Sequence, residues 1–185
     1  MDQSSLFFAQ SELEVLAFWD QAQIFQQTIS KKAPQGEYRF YDGPPFATGT
    51  PHYGHIVASI IKDVVPRFWT MKGYRVNRRW GWDCHGLPIE NIVEKELGYQ
   101  HKKDIEALGI DKFNELCRSK VLSYVTDWQK IIHRLGRFVD MDNAYRTMDL
   151  SFMESVWWVF KQLWDKGLIY QGYRSMHVCP RCETT

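Results

Sequence analysis

The stretch Tyr38-Arg-Phe-Tyr-Asp-Gly-Pro-Pro-Phe-Ala-Thr-Gly-Thr-Pro-His-Tyr-Gly-His55 decides the fold of this 185-residue chain. Its first part, Tyr38–Tyr41, is predicted to be a short strand because aromatic residues favour strands. The part from Asp42 to Pro51 is predicted to be a loop, since two glycines and three prolines interrupt helices and strands alike. From His52 onward, apolar residues recur at helical spacing, which predicts a helix. This order of elements indicates an anion site, because the first N–H groups of a helix lack internal partners.

Two histidines, His52 and His55, stand at the predicted start of that helix. A spacing of three places them on one face of the first turn. Gly54 lies between them and would let a flat ring or a phosphate approach the backbone. Each imidazole can donate a hydrogen bond to a phosphoryl oxygen. A lone His-x-x-His is more often a pair of surface histidines, but the preceding loop favours a nucleotide site here.

The rest of the chain predicts strands alternating with helices. Ser11 and Glu14 form a capping-box pattern, which predicts that a helix over residues 11–30 begins there. Pro66 is expected to kink the His52 helix and Gly73 to end it. The other predicted elements are a linker over residues 31–36, a strand over 74–80, a helix from Pro88 to Gly98, helices over 104–108, 111–135 and 151–166, a polar loop over 140–147, and a third strand over 168–173.

Strand, helix and strand at these lengths predict a βαβ unit in an α/β fold. Ligands of open α/β sheets bind beyond the carboxyl ends of the strands, so the Asp42–Pro51 and Gly81–Pro88 loops should share one edge. Asp83, in the second loop, could hold the ammonium group of an amino acid by charge-assisted hydrogen bonds. A helix cap or turn is the plainer role for Asp83, and His85 could be either a polar contact or a packed side chain.

Two motifs resemble signatures of class I aminoacyl-tRNA synthetases. His52-Tyr-Gly-His55 resembles the HIGH motif, and the Asp42–Gly49 loop resembles the form in isoleucyl members of the class. Gly81-Trp-Asp-Cys-His-Gly-Leu-Pro-Ile-Glu90 matches their next signature, whereas the valyl and leucyl relatives differ in both blocks. The resemblance extends from about Glu37 to the C-terminus. It implies the first half of a Rossmann-like nucleotide-binding fold, helix-rich and with helical insertions.

The same resemblance implies roles for particular residues. His52 and His55 would be catalytic. The residues implied to bind ATP are Thr48, Gly49, His52, Gly54 and His55. The residues implied to bind the amino acid are Gly43, Pro44 and Asp83.

The function implied is that of an isoleucine–tRNA ligase, which activates isoleucine with ATP to the adenylate and transfers it to tRNA(Ile). Mg²⁺ is expected to accompany ATP. Enzymes of this type also carry an editing insertion, the second half of the fold, a Lys-Met-Ser-Lys-Ser loop and an anticodon-binding domain, none of which is in this sequence. The chain therefore resembles an N-terminal fragment that should be inactive alone. The complete enzyme should be a monomer and meet tRNA mostly through other regions.

Cys179-Pro-Arg-Cys182 is typical of one knuckle of a zinc ribbon, in which thiolates share a tetrahedral Zn²⁺. His177 is poorly placed as a third ligand. A redox pair or a free dithiol are the other interpretations. By resemblance, cysteines much later in such enzymes complete the zinc site. The predicted domains are residues 1–36 as an N-terminal helix and linker, 37–175 as the catalytic half-domain, and 176–185 as the start of a zinc-knuckle or editing insertion.

Composition limits the remaining possibilities. The formal net charge is +1, which argues neither for nor against nucleic acid. No apolar run reaches the ~18 residues of a membrane span and the N-terminus lacks a basic leader, so we expect a soluble, cytoplasmic protein without a membrane partner. A small nucleotidyltransferase with a His-x-Gly-His motif and a non-enzymatic zinc-binding module remain alternatives. A NAD-binding module is disfavoured because Gly-x-Gly-x-x-Gly is missing.

Overall fold

A computed structural model describes residues 3–46 and 48–185 of the chain. Within that part, eight helices and two strands are formed. In chain order they are α1 (Gln3–Gln21), α2 (Ile24–Ser30), α3 (Tyr53–Met71), β1 (Arg79–Trp82), α4 (Leu87–Leu97), α5 (Lys102–Leu108), α6 (Ile110–Val121), α7 (Val125–Arg134), β2 (Asp140–Arg146) and α8 (Leu150–Asp165). None of these helices is long and apolar enough to cross a membrane.

The chain divides into two compact units. The first unit comprises Met1–Pro45, Gly49–Trp82 and Tyr124–Tyr145. The second unit comprises Phe46–Thr48, Asp83–Ser123 and Arg146–Thr185. The first therefore holds α1 to α3, β1, α7 and nearly all of β2, and the second holds α4 to α6 and α8.

The two strands form a small parallel sheet. The N–H of Asp140 donates to the carbonyl of Arg78 at 2.7 Å, and further along Gly81 faces Tyr145, so the numbering rises in the same direction on both strands. A Cβ atom at Gly81 would lie 2.1 Å from a carbon of the Tyr145 ring, so only glycine fits there. Behind β1, the buried side chains of Trp80 and Trp128 form the centre of an aromatic core.

The helix ends follow the local sequence closely. His52 is the N-cap of α3, as predicted. The helix continues through Pro66 to Met71, and Gly73, one residue beyond the C-cap, has a φ of 92° that favours glycine. Gly98 ends α4 in the left-handed conformation, which confirms that prediction as well.

The predicted start of the N-terminal helix at Ser11 is wrong. Ser11 lies inside α1, which begins by Gln3, so the capping-box pattern there is incidental. The predicted continuity to residue 30 is also wrong, because Gln23 adopts a left-handed conformation with a φ of 49° between α1 and α2. The side chain of Gln27 donates to the carbonyl of Ala22 at 2.7 Å and so satisfies a group that the break exposes.

Three strand predictions need correction. Tyr38–Tyr41 is extended but forms no strand, and pairing there is confined to an isolated parallel bridge between Glu37 and Arg75. The second strand lies at β1 rather than over residues 74–80, and the predicted polar loop over 140–147 is β2. The predicted strand over 168–173 is absent from the described structure, where Tyr170 and Tyr173 are exposed instead. A short strand needs a partner, and the sequence does not identify which segments pair.

The long helix predicted over residues 111–135 is interrupted between α6 and α7. At the interruption, both the N–H and the hydroxyl of Ser123 donate to the carbonyl of Lys120, at 3.2 and 2.8 Å. Such local bonds compete with the helical pattern. The helix predicted over residues 151–166 is formed as α8, but its large apolar side chains are not buried, and Trp157 and Phe160 are 61% and 54% exposed.

Candidate active site

The two histidines of the candidate site cap the N-terminus of α3 reciprocally. The N–H of Gly54 donates to Nδ1 of His52 at 3.1 Å, and the N–H of His52 donates to Nδ1 of His55 at 3.2 Å. The two rings stack with their centroids 3.7 Å apart. A Cβ atom at Gly54 would lie 2.9 Å from the His52 ring, so glycine is required for this cap.

This arrangement fixes where the ring protons sit. Since Nδ1 of each imidazole accepts a backbone N–H, the ring proton is carried by Nε2, which then points its N–H away from the helix backbone. Burial, and after it the charges of His52 and Lys62, hold the pKa of His55 below its ordinary value of 6.5. His55 is therefore a neutral hydrogen-bond donor near neutral pH.

The loop before α3 is anchored at two points. Near its start, the ammonium of Lys62 lies 2.7 Å from both a carboxylate oxygen of Asp42 and the carbonyl of Gly43. Near its end, the buried indole of Trp128 donates from Nε1 to the carbonyl of Gly49 at 2.8 Å. The same indole contacts the ring of His55 edge-on, with centroids 4.9 Å apart. Lys62 and Trp128 were not identified from the sequence, although Lys62 lies two turns after His55 on the same helix face.

Asp42 is the buried charge at the base of the first anchor. Its carboxylate also pairs with the guanidinium of Arg137, which donates to the hydroxyl of Ser59 at 3.1 Å and stacks over the ring of Trp80. The carbonyl of Asp42 accepts the hydroxyl of Tyr145 at 2.6 Å. No sequence pattern indicates this cluster, because its members are up to 103 positions apart.

A cavity of about 130 Å³ opens beside these groups in the first unit. The residues that bear on its chemistry are Gly43, Pro44, His55, Lys62, Trp80 and Arg137.

Two of the predicted site residues, Thr48 and Asp83, belong to the second unit. Asp83 pairs with Phe46 in an isolated parallel bridge, and its side chain is half-buried. Across residues 3–46 and 48–185, the carboxylate of Asp83 makes neither a hydrogen bond nor an ion pair, and so it is available to a cation. Nδ1 of His85 lies 3.3 Å from the hydroxyl of Thr147, and this contact occupies His85 locally.

Cys179 and Cys182 form a tight turn. The N–H of Cys182 donates to Sγ of Cys179 at 3.5 Å, and the N–H of Cys179 donates to the carbonyl of Thr184 at 2.9 Å. The backbone N–H groups of Cys182 and Arg181 lower the pKa of Cys179, whereas hydrogen bonding to Cys179 raises the pKa of Cys182. Both thiols are free, and the described residues contain no group of three or more potential metal ligands. The turn can supply two sulfur ligands.

The family follows from a comparison with known proteins. The family described as tRNA synthetases class I (I, L, M and V) matches residues 14–185, and the chain belongs to this family. Among its relatives are the isoleucine–tRNA ligase of Treponema denticola, 58% identical over 177 residues, and the cytoplasmic isoleucine–tRNA ligase of Arabidopsis thaliana, 52% identical over 177 residues. These matches confirm the family predicted from the two motifs.

The matched relatives are much longer than this chain. The alignments cover 96% of this chain but 16% of the Treponema enzyme and 15% of the Arabidopsis enzyme. Among solved structures, the ternary complex of Agrobacterium radiobacter K84 LeuRS with tRNA and LeuAMS matches with a TM-score of 0.52 and 24% identity. That match covers 86% of this chain and 18% of LeuRS, and it confirms the predicted class I fold.

Proposed function

We propose that the chain forms the N-terminal part of the catalytic domain of an isoleucine–tRNA ligase, which activates isoleucine with ATP and transfers it to tRNA(Ile). The observation that carries this proposal is the reciprocal histidine cap, which uses Nδ1 of both rings and leaves the Nε2–H groups of His52 and His55 without a hydrogen-bond partner among residues 3–46 and 48–185. The identity of 52–58% to isoleucine–tRNA ligases supports the choice of amino acid.

In this proposal the histidines act on the phosphates of ATP. Attack of the isoleucine carboxylate on the α-phosphorus builds negative charge on the phosphoryl oxygens as pyrophosphate leaves. The Nε2–H groups, which stand at the positive end of the α3 dipole, then donate to those oxygens, and because they are already held in place they stabilise the transition state. ATP would lie along Thr48, Gly49, His52, Gly54 and His55.

The amino acid is assigned to a different set of residues. Gly43 and Pro44 would form one wall of its pocket, and the carboxylate of Asp83 would receive its ammonium group. The lack of a competing partner for Asp83 within the described residues supports that role. A half-buried carboxylate without a partner gains most from an ionic ligand.

Metal ions enter the proposal in two ways. Mg²⁺ would accompany the phosphates of ATP and neutralise part of their charge. Zn²⁺ would be held in part by Cys179 and Cys182, whose turn places one sulfur against a backbone N–H and so favours a thiolate. Two sulfur ligands are half of a closed structural site, so the other ligands would come from elsewhere in the complete enzyme.

The proposed domain plan has three parts. Residues 1–36 would be an N-terminal helical segment and linker, residues 37–175 the first half of the catalytic domain, and residues 176–185 the beginning of a zinc-knuckle or editing insertion. The complete enzyme would be a cytoplasmic monomer that contacts tRNA mainly outside this chain. The chain alone would be inactive, since one half of a nucleotide-binding crevice lacks its facing strands.

The test is a chimera in which this chain replaces the matched 177 residues of the Treponema denticola enzyme. We expect ATP–pyrophosphate exchange that depends on isoleucine and not on leucine, and a ~10²–10³-fold slower exchange after His55→Ala. The unaltered Treponema enzyme is the positive control. A folded chimera that exchanges only with leucine, or with neither amino acid, would contradict the proposal, and so would an unchanged rate after His55→Ala.

A further inference from the structure

Lys62 holds the turn at Gly43 through one hydrogen bond and one ion pair. Its ammonium donates to the carbonyl of Gly43 at 2.7 Å and forms an ion pair with a carboxylate oxygen of Asp42, also at 2.7 Å. Apart from the adjoining residues, the nearest neighbour of a Cβ atom placed on Gly43 would be Nζ of Lys62, at 3.9 Å. Among the described residues, the ammonium of Lys62 is the group that binds the carbonyl of Gly43.

The fold does not need Lys62 to neutralise Asp42. The carboxylate of Asp42 is 1% exposed and already pairs with the buried guanidinium of Arg137, and its backbone carbonyl is bound by Tyr145. The side chain of Lys62 is 32% exposed, so its stem borders solvent. Removing the ammonium would therefore release Gly43 while most of the buried cluster stays paired.

The two anchors act on different ends of the loop. Lys62 holds Gly43, which belongs to the proposed wall of the amino-acid pocket, whereas Trp128 holds Gly49, which belongs to the proposed ATP site. Because these anchors are separate hydrogen bonds on separate elements, loss of one leaves the other intact. This arrangement predicts that loss of the Lys62 ammonium weakens the binding of the amino acid and leaves the binding of ATP unchanged.

We propose that Lys62 is a positioning residue for amino-acid binding: it ties the carbonyl of Gly43 to α3 and so fixes the Gly43–Pro44 wall without touching the substrate. The inference rests on the proposed function, because it needs an amino acid in that pocket. It adds a residue outside both motifs to the set that determines the affinity for isoleucine.

The test compares three variants of the chimera. Lys62→Met keeps the apolar stem and removes the donor, Lys62→Arg retains a cationic hydrogen-bond donor, and Lys72→Met is the matched control beyond the far end of α3. For Lys62→Met we expect the KM for isoleucine to rise about tenfold, a loss of ~1.4 kcal/mol. The KM for ATP should change less than ~twofold, and Lys62→Arg should recover most of the loss. Lys72→Met should match the parent.

A KM for isoleucine within ~twofold of the parent value, or an equal rise in both KM values, would overturn the role of Lys62. Hydrogen–deuterium exchange provides a second readout that does not need activity. The amides of Asp42, Gly43 and Phe46 should exchange at least ~fivefold faster in Lys62→Met, with those of α3 unchanged. Equal exchange rates in Lys62→Met and in the parent chimera would also overturn the proposed role of Lys62. If the parent chimera shows no isoleucine-dependent activity, the proposed function fails, and the exchange data still decide whether Lys62 holds the turn.

Discussion

Replacing Arg137 by Met should lower the free energy of unfolding of this chain by about 3 kcal/mol. The side chains of Arg137 and Asp42 are 4% and 1% exposed and pair directly. Removing one partner of a buried ion pair leaves the other charge uncompensated, which costs ~3–5 kcal/mol. The ammonium of Lys62 still reaches Asp42, so we expect the lower end of that range.

Urea unfolding followed by tryptophan fluorescence measures this loss. With a urea dependence of ~1–3 kcal/mol per molar, the midpoint should fall by ~1 M or more. Arg134→Met is the matched control, because Arg134 pairs with Glu12 at the surface, where the two side chains are 45% and 60% exposed. Such a pair contributes ~0–1 kcal/mol, so its midpoint should fall by no more than about a third of the shift in Arg137→Met.

Equal midpoint shifts for the two arginine variants would refute the reasoning, because they would show that burial of the Arg137 pair carries no cost. The double variant Arg137→Met with Asp42→Asn gives a further check. Removing the carboxylate charge as well should recover part of the loss, so the two substitutions should cost less together than the sum of their separate effects.

Three further predictions address other parts of the chain. Gly81→Ala should lower the free energy of unfolding by ~1–3 kcal/mol or more through overpacking, because its Cβ would meet the Tyr145 ring at 2.1 Å, and the melting temperature should fall with it. Gly172→Ala, with its nearest neighbour at 3.5 Å, should leave the melting temperature unchanged. Because the pKa of His55 is lowered in the folded chain, its stabilising contribution should be complete above pH 6.5 and be lost as the pH falls through the lowered pKa. The difference between the urea midpoints at about pH 7.5 and about pH 5 should therefore be smaller in His55→Gln than in the parent chain. An equal difference in both would contradict this. In the chimera, Asp83→Asn should raise the KM for isoleucine and not that for ATP, and an equal rise in both would indicate a structural role.

The features that the sequence predicts well are local. The start of α3 at His52 and the glycines at Gly73 and Gly98 follow from the backbone preferences of single residues, and the structure confirms them. The family follows from two short motifs, because these contain the residues nearest the proposed chemistry. These predictions need no knowledge of which distant segments meet.

The features that could not be predicted from the sequence depend on contacts between distant residues or on local hydrogen bonds that compete with the regular pattern. β2 reads as a polar loop because its partner β1 lies about 60 positions earlier and no pattern pairs the two. At the break between α6 and α7, the hydroxyl of Ser123 donates to the carbonyl of Lys120. The spacing of apolar residues does not indicate this local hydrogen bond. In the candidate site, His52 and His55 were identified, but Asp42 was taken only as a loop residue because its partner Arg137 is 95 positions away.

The reciprocal histidine cap makes the stability of α3 and its surface chemistry depend on the same two rings. Asn or Ser at position 52 would cap a helix at least as well, since short polar side chains are the preferred N-caps. Neither would present a second nitrogen outward as the Nε2 of His52 does. A change that strengthens the cap therefore removes a donor, so under the proposed function stability and activity would oppose each other at this position. A substitution that stabilises the start of α3 would then cost a hydrogen bond to ATP.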